Sequence, residues 1–170
     1  MPDDLQDGAM VRDAATTDAA AIADIYNHYI SETTVTFEEE PVFPGQMLGR
    51  LEEARRALLP WLVAEQGGRV VGYAYASPWK TRTAYRFSVE ITIYLSPGLT
   101  GGGIGTKLYN QLFQTLEDQP IHAVIAGIAL PNDASVGIHQ KFGMKKVAHF
   151  REVGFKFNTW IDVGYWQRIL

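Results

Sequence analysis

Residues 94–105, which read Tyr-Leu-Ser-Pro-Gly-Leu-Thr-Gly-Gly-Gly-Ile-Gly, constrain the fold more than any other part of the chain. The β-branched run at 89–95 predicts a strand before this glycine loop. Leu108, Leu112 and Leu116 lie four apart after it and predict an amphipathic helix. Free amides and the helix dipole at the start of such a helix favour an anion, and glycines let it approach the backbone. The pattern therefore predicts a cofactor that carries a pyrophosphate.

Composition excludes several classes of function. A chain of 170 residues with 46% hydrophobic residues suits one domain, and the net charge of −4 gives no reason to expect nucleic acid as a partner. The polar start of the chain does not resemble a secretory signal, and no apolar run suits a membrane span. Without cysteine there is no disulfide, thiolate metal site or thiol nucleophile, and we expect a cytoplasmic protein. The four histidines fall on separate predicted elements, so we expect no metal.

The order of predicted elements indicates a mixed sheet with helices on both faces. Residues 1–9 are predicted to be a disordered lead-in and residues 10–170 a single domain. Helices are predicted from Thr17, from Pro44, from Thr106 and from Asp133, and strands at 10–14, 61–66, 69–76, 86–95, 122–129, 145–157 and 160–169. One strand–helix–strand crossover follows the glycine loop, as expected for an α/β (α+β) fold.

Two other glycine motifs fit the loop poorly. A dinucleotide fingerprint is expected in a first βαβ unit, with an acidic residue about 20 positions later. Here the glycines lie in the middle of the chain, and the next strand ends in Leu-Pro-Asn without a carboxylate at its tip. A phosphate-binding loop of the Walker type needs Gly-Lys-Ser/Thr, whereas Gly105-Thr106-Lys107 has the wrong order.

The loop resembles the acetyl-CoA signature of the GNAT N-acetyltransferases, Gln/Arg-x-x-Gly-x-Gly/Ala, at Gly103-Ile104-Gly105. Asn132, Ser135 and His139 stand where that family carries a post-strand Asn and helix residues, and the resemblance runs from Val11 to Gln167. It implies the GNAT fold, with a mostly antiparallel central sheet of six to seven strands and about four helices.

Several segments are similar to the phosphinothricin and methionine sulfoximine acetyltransferase branch of this family. They are Tyr26-Asn-His-Tyr-Ile, Trp61-Leu-Val-Ala-Glu, Trp79-Lys-x-Arg, Leu130-Pro-Asn-Asp and Asp162-Val-Gly-Tyr-Trp-Gln. One departure is Thr100, which stands where the family usually has Gln or Arg. Because backbone amides hold most of the pyrophosphate, we expect Thr100 to weaken the site without abolishing it.

The resemblance implies a set of cofactor contacts. The central strand of a GNAT fold is splayed, which leaves backbone amides free to bind pantetheine and to polarise the thioester. The expected acetyl-CoA contacts are Ile93, Tyr94 and Leu95 on the strand, Thr100, Gly101, Gly102, Gly103, Ile104 and Gly105 in the loop, and Asn132 and Ser135 beyond the next strand.

Two residues are expected to act in the reaction. Glu90 interrupts an apolar strand, so burial would raise its pKa and suit it to accept a proton from the amine, directly or through a water. The alternative is an ion pair with Arg86 or Lys80. His139 stands where many family members have a Tyr that protonates the coenzyme A thiolate. The alternative is a packed helix histidine, and Tyr109 is a second candidate for the thiolate.

The acceptor pocket is expected to hold an amino acid with a second polar or anionic head. Lys80 and Arg82 would bind the anionic groups, and Tyr85 and Thr92 would add hydrogen bonds. Phe37, Trp79 and Phe87 would form walls. Trp160, Tyr165 and Trp166 in the last strand are expected in the core or in a homodimer contact.

The resemblance implies direct transfer of an acetyl group from acetyl-CoA to the α-amine of phosphinothricin, methionine sulfone or methionine sulfoximine. Three alternatives remain at this point. The acceptor could be another amine, such as a polyamine or a peptide N-terminus. The chain could be a non-catalytic acyl-CoA sensor, or it could bind a nucleotide.

Overall fold

A computed structural model describes residues 8–170, so most of the predicted disordered lead-in lies outside the described residues. Of that predicted lead-in, Ala9 is described and buried, and its carbonyl accepts a hydrogen bond from Lys107 Nζ at 3.0 Å. The ordered domain therefore begins by residue 9.

Over the described range, four α-helices and seven strands follow the order that the sequence predicts. The strands are β1 (Met10–Asp13), β2 (Trp61–Gln66), β3 (Arg69–Pro78), β4 (Ser88–Leu95), β5 (Ala123–Leu130), β6 (Lys145–Lys156) and β7 (Thr159–Ile169). The helices are α1 (Ala19–Glu32), α2 (Pro44–Arg56), α3 (Ile104–Glu117) and α4 (Asp133–Lys141). The segment between β3 and β4 contains a short 3₁₀ turn at Thr83–Tyr85, and another turn at Thr16–Asp18 precedes α1.

All seven strands belong to one sheet in the order β1-β2-β3-β4-β5-β7-β6. Each neighbouring pair is antiparallel except β4 and β5, which α3 connects as a crossover. The mixed, mostly antiparallel sheet expected from the sequence is thereby confirmed.

Two apolar cores cover the two faces of the sheet. One side of α3, which carries Leu108, Leu112 and Leu116, packs against one face, and these three side chains are fully buried. On the other face α1 and α2 pack against an aromatic group that includes Trp61, Tyr73 and Tyr94. Alternation along β4 explains the division, because odd-numbered residues face α3 and even-numbered residues face the opposite side.

The parallel pairing of β4 and β5 is short. Ladder partners run only from Ser88 with Ala123 to Glu90 with Ile125, although both strands continue for five more residues. Beyond Glu90 the strands diverge, and β5 instead pairs with β7 along its full length. The sheet therefore opens into a wedge between the ends of β4 and β5, as the family resemblance implies.

Candidate active site

Two cavities meet in this wedge. The Glu90 cavity has a volume of about 410 Å³ and lies on the face of β4 that carries Glu90 and Thr92. The glycine-loop cavity has a volume of about 520 Å³ and reaches from the end of β4 to the start of α3 and to α4. Both are lined by Val35, Ile93, Tyr94, Asn132 and Ser135, so molecules in the two cavities would touch each other.

Backbone geometry makes the glycine loop an anion site. Gly103, which precedes the first turn of α3, has φ of +80°, and Gly101 has φ of +88°; this region favours glycine. No side chain caps α3 within the described residues, so the first amides of a 14-residue helix face the cavity. Lys141 adds a positive charge there, and its Nζ donates to Thr106 Oγ1 at 3.1 Å.

Most of the predicted cofactor residues line the glycine-loop cavity: Ile93, Tyr94, Leu95, Thr100, Gly101, Gly103, Gly105, Asn132 and Ser135. Gly102 and Ile104 do not line it. The side chain of Ile104 packs into the core with 7% of its surface exposed, because it is the first residue of α3 on the buried face of that helix.

Asn132 fixes the start of α4. Its side-chain oxygen accepts a hydrogen bond from the Ser135 backbone N–H at 3.1 Å, as an N-cap residue does. Asn132 therefore has a structural role at the start of α4, and the same residue also lines both cavities.

Glu90 is a half-buried carboxylate in the cavity wall. Burial raises its pKa, while the positive charge of Lys80 and a hydrogen bond from the Gly127 backbone N–H act in the opposite direction. A Cβ at Gly127 would lie 3.3 Å from Glu90 Oε1, so the glycine leaves room for the carboxylate. Within residues 8–170 no ion pair joins Glu90 to Arg86 or Lys80, which removes the ion-pair alternative. Glu90 is thus placed to accept a proton.

His139 lines the Glu90 cavity, but both of its ring nitrogens are engaged. Nδ1 lies 2.7 Å from the Ser135 carbonyl oxygen, which can only accept, so Nδ1 carries the proton. Nε2 lies 2.8 Å from the hydroxyl of Tyr109 and must therefore accept from it. Burial lowers the pKa of His139 and raises that of Tyr109 well above its usual value. At neutral pH the pair is uncharged and joins α3 to α4.

The predicted acceptor residues divide into two groups. Phe37 and Thr92 line the Glu90 cavity. Lys80, Arg82 and Tyr85 do not line it, and their role in binding the acceptor stays a prediction. The turn at Thr83–Tyr85 keeps them at the surface, and Lys80 Nζ lies 4.8 Å from the ring centre of Trp79.

Trp79 and Phe87, the other predicted walls, do not line the cavity either. Trp79 packs edge-on against the ring of Tyr165, which does line it, at 5.6 Å between ring centres. Phe87 is 42% exposed beneath the Arg86 guanidinium. Of the last-strand aromatics, Trp166 lies in the core as expected, whereas Trp160 is exposed.

The sequence did not predict several residues that line the two cavities. Those that reach the Glu90 cavity from distant segments are Val35 and Thr36 before α2, Val153 on β6, and Val163 and Tyr165 on β7. Lys141 and Thr106 line the glycine-loop cavity. Alternation along β7 would have placed Val163 and Tyr165 on one face, but nothing in the sequence said which cavity that face meets.

A wedge with a glycine loop and a half-buried glutamate has the features expected of an acyl-transferring enzyme, and the comparison with known families shows that the chain is one. Residues 22–144 match the acetyltransferase (GNAT) family. The match covers more than half of the chain, which belongs to this family and is an N-acetyltransferase.

Two relatives and one solved structure align with nearly the whole chain. A phosphinothricin N-acetyltransferase of Streptomyces viridochromogenes is 44% identical, over 93% of this chain and 86% of the relative. An L-methionine sulfoximine/L-methionine sulfone acetyltransferase of Salmonella typhimurium is 33% identical, over 92% of each chain. The structure of a phosphinothricin acetyltransferase of Sinorhizobium meliloti in complex with acetyl-CoA superposes with a TM-score of 0.92 at 36% identity, covering 95% of this chain and 88% of the other. The branch predicted from the sequence is confirmed.

The described residues contain no helix long and apolar enough to cross a membrane. Within the same range no group of three or more His, Cys, Asp or Glu side chains is arranged to hold a metal ion.

Proposed function

We propose that this enzyme transfers the acetyl group of acetyl-CoA to the α-amine of a small amino acid such as phosphinothricin, methionine sulfone or methionine sulfoximine. The observation that carries the proposal is the half-buried Glu90 carboxylate in a cavity that opens into the glycine-loop cavity. Relatives named for these substrates align with more than nine-tenths of this chain, which supports the choice of substrate class.

The glycine-loop cavity suits the coenzyme. Its helix amides and Lys141 would bind the pyrophosphate, and Thr100 supplies a hydroxyl where the family usually has a longer side chain. The pantetheine arm would run along the unpaired edge of β4 beside Ile93 to Leu95, with Asn132 and Ser135 on the opposite side. A backbone amide of this edge would polarise the thioester carbonyl.

The joined cavities support direct transfer. With no cysteine in the chain, an acyl-cysteine intermediate cannot form, and the shared lining residues would put the two substrates side by side. The neutral amine attacks the thioester carbon, the C–S bond of the tetrahedral intermediate breaks, and the amide and coenzyme A thiolate separate. Glu90 takes the proton that the amine nitrogen loses, and its raised pKa suits it to do so.

We propose His139 as the residue that returns a proton to the thiolate, through the Nδ1 side that faces Ser135. The Ser135 hydroxyl lies 3.4 Å from Nδ1, and Ser135 lines both cavities. Because burial keeps the ring neutral, His139 has to take up a proton from solvent at Nε2, where the Tyr109 hydroxyl is in contact, before Nδ1 can give one to the thiolate. The role proposed for His139 therefore requires more than the role proposed for Glu90.

The proposed substrate class is tested by release of coenzyme A thiol from acetyl-CoA in the presence of phosphinothricin, methionine sulfone, methionine sulfoximine or spermidine. We expect turnover with the three amino acids and none with spermidine. A preference for spermidine would favour the polyamine alternative. Tight binding of acetyl-CoA without any turnover would favour the sensor.

Replacing Gly103 by Ala tests the glycine loop. Alanine at a φ of +80° is strained by roughly 1–2 kcal/mol, which would distort the start of α3. We expect the Kd for acetyl-CoA, measured by calorimetry, to rise about tenfold. Gly102→Ala is the matched control, since Gly102 has no positive φ and a Cβ there would lie 3.8 Å from the Leu99 carbonyl. Equal Kd values for the two variants would contradict the assignment of the glycine loop as the acetyl-CoA site.

Replacing Glu90 by Gln tests the base. We expect kcat at pH 7.5 to fall about a hundredfold or more, the usual contribution of a general base. In the wild type, kcat/KM should fall as pH drops through a pKa above the ordinary Glu value, because Glu90 becomes protonated; the variant should lack this fall. Burial disfavours the charged carboxylate, so Glu90→Gln should not lower the Tm at pH 7. An unchanged pH profile at full activity would exclude Glu90 as the base.

The same assay separates the two readings of His139. If the ring protonates the thiolate, His139→Gln lowers kcat at least tenfold while the KM for acetyl-CoA stays within about threefold. A lower Tm with nearly full kcat would instead identify a packed helix histidine. Tyr109→Phe is the companion variant, because it leaves the ring in place and removes only the donor to Nε2.

We also propose that the protein forms a homodimer through the β6–β7 hairpin. Its outer surface exposes large apolar side chains, each more than half exposed: Val147, Phe150, Val153, Phe155, Phe157 and Trp160. A dimer at micromolar concentration is expected in sedimentation velocity, and Trp160→Lys should shift the mass to one chain. A monomeric wild type would refute it. The cytoplasmic location stays a prediction.

A further inference from the structure

One wall of the Glu90 cavity belongs to no regular element. Residues 33–43 connect α1 to α2, and Val35, Thr36 and Phe37 from this segment line the cavity. An irregular segment keeps one shape only where other residues hold it, because its backbone lacks a repeating hydrogen-bond pattern. Its attachments therefore decide the shape of this side of the cavity.

Helix α1 holds the segment from one side. The Tyr26 hydroxyl lies 2.7 Å from Thr36 Oγ1, and both residues are buried. The Asn27 side chain binds both backbone groups of Val42, accepting from its N–H at 2.7 Å and donating to its carbonyl at 2.9 Å. These contacts fix the position of the segment along α1, but they leave its other face to strand β6.

Lys156 holds that other face. Its Nζ donates to the Thr36 carbonyl oxygen at 2.9 Å, and the residue is only 1% exposed. Burial of an amine without a partner is costly, so this hydrogen bond joins β6 firmly to the cavity wall. Neither cavity is lined by Lys156, so its effect on a bound molecule is indirect.

Gly154 lies two residues before Lys156 on the same face of β6, and the Phe37 ring packs against it. A Cβ at Gly154 would lie 2.3 Å from Phe37 Cζ and 2.4 Å from Cε2, far inside contact distance. The φ of Gly154 is not in the positive region, so the ring, and not the backbone, excludes a side chain here. The Phe37 ring rests directly on the backbone of β6.

A bulge in β6 brings these residues into place. The register with β7 shifts between Phe150 and Gly154, and Glu152 has φ of +51°. Asp162 on β7 stabilises the bulge by accepting from the Glu152 N–H at 2.8 Å. Bulges commonly re-aim side chains next to active sites, and here Val153 lines the Glu90 cavity while Gly154 and Lys156 meet the segment.

We propose that Gly154 and Lys156 are positioning residues for the acceptor: by holding Thr36 and Phe37 against the bulged strand β6, they set the shape of the acceptor pocket. This proposal rests on the proposed function in taking the Glu90 cavity as the acceptor site. It predicts an effect on acceptor binding with little effect on acetyl-CoA, because Thr36 and Phe37 do not line the glycine-loop cavity and Val35 is the one residue of the segment that does.

The first test replaces Lys156 by Met, which keeps the length of the side chain and removes the donor. We expect the KM for the best amino-acid acceptor to rise at least tenfold while the KM for acetyl-CoA stays within twofold. Lys145→Met, at an exposed position of the same strand, is the matched control. Parallel rises of both KM values, or no rise in a folded variant, would overturn the proposal.

The second test is a double-mutant cycle between Gly154 and Phe37. Gly154→Ala should displace the ring and raise the acceptor KM at least fivefold. In a Phe37→Ala background the same substitution should change the KM by less than twofold, since no ring is left to displace. Gly49→Ala, in open space on α2, is the control. Additive effects of the two substitutions on the acceptor KM would refute the role of the contact between Gly154 and Phe37.

A third measurement is independent of the acceptor. Hydrogen–deuterium exchange of residues 33–43 should be at least tenfold faster in Lys156→Met than in the wild type, and unchanged in Lys145→Met. If the wild type acetylates none of the offered amino acids, the proposed function fails, and exchange still decides whether Lys156 holds the segment. Unchanged exchange would overturn the role of Lys156 whatever the enzyme acetylates.

Discussion

The separation of β4 from β5 after Glu90 is the constraint on which the site depends. A parallel pair that continued to the ends of both strands would close the sheet and leave no cleft. Instead β5 pairs fully with β7, α3 carries the chain across, and its N-terminus meets the open end of β4. One irregularity of the sheet thus creates the space for the coenzyme, exposes the edge of β4 to it, and places Glu90 at the point of divergence.

The chemistry of this wedge comes from burial as much as from residue type. Glu90 has a raised pKa because it is half-buried beside a glycine that leaves space for its carboxylate. The pKa of His139 is shifted downward, because burial disfavours its charged form. Its Nε2 accepts a hydrogen bond from the Tyr109 hydroxyl. The cost of burying Glu90 opposes folding, whereas the His139–Tyr109 pair satisfies its own polar atoms and joins two helices.

The two cavities differ in how they are built. The glycine-loop cavity is mostly local: the end of β4, one loop, the start of α3 and helix α4 supply most of its lining. The Glu90 cavity is assembled from residues 33–43, β4, β5, β6 and β7, and the Thr36 carbonyl in its wall accepts a hydrogen bond from Lys156. Relatives with the same coenzyme and different acceptors are therefore expected to differ most in these distant segments.

The sequence by itself determined the elements, the mixed sheet and the glycine loop, because periodicity and a cluster of glycines are local signals, and it singled out Glu90 as an acid in an apolar strand. It did not reveal that Lys80, Arg82 and Tyr85 lie at the surface and outside the lining of the Glu90 cavity, since a polar segment after a strand does not show which way its side chains turn. Only the tertiary structure decided the lining of the Glu90 cavity, the partners of His139 and the packing of Phe37 against Gly154. Those depend on a bulge and on contacts between residues more than a hundred positions apart, such as Thr36 and Lys156, and no local pattern encodes such contacts.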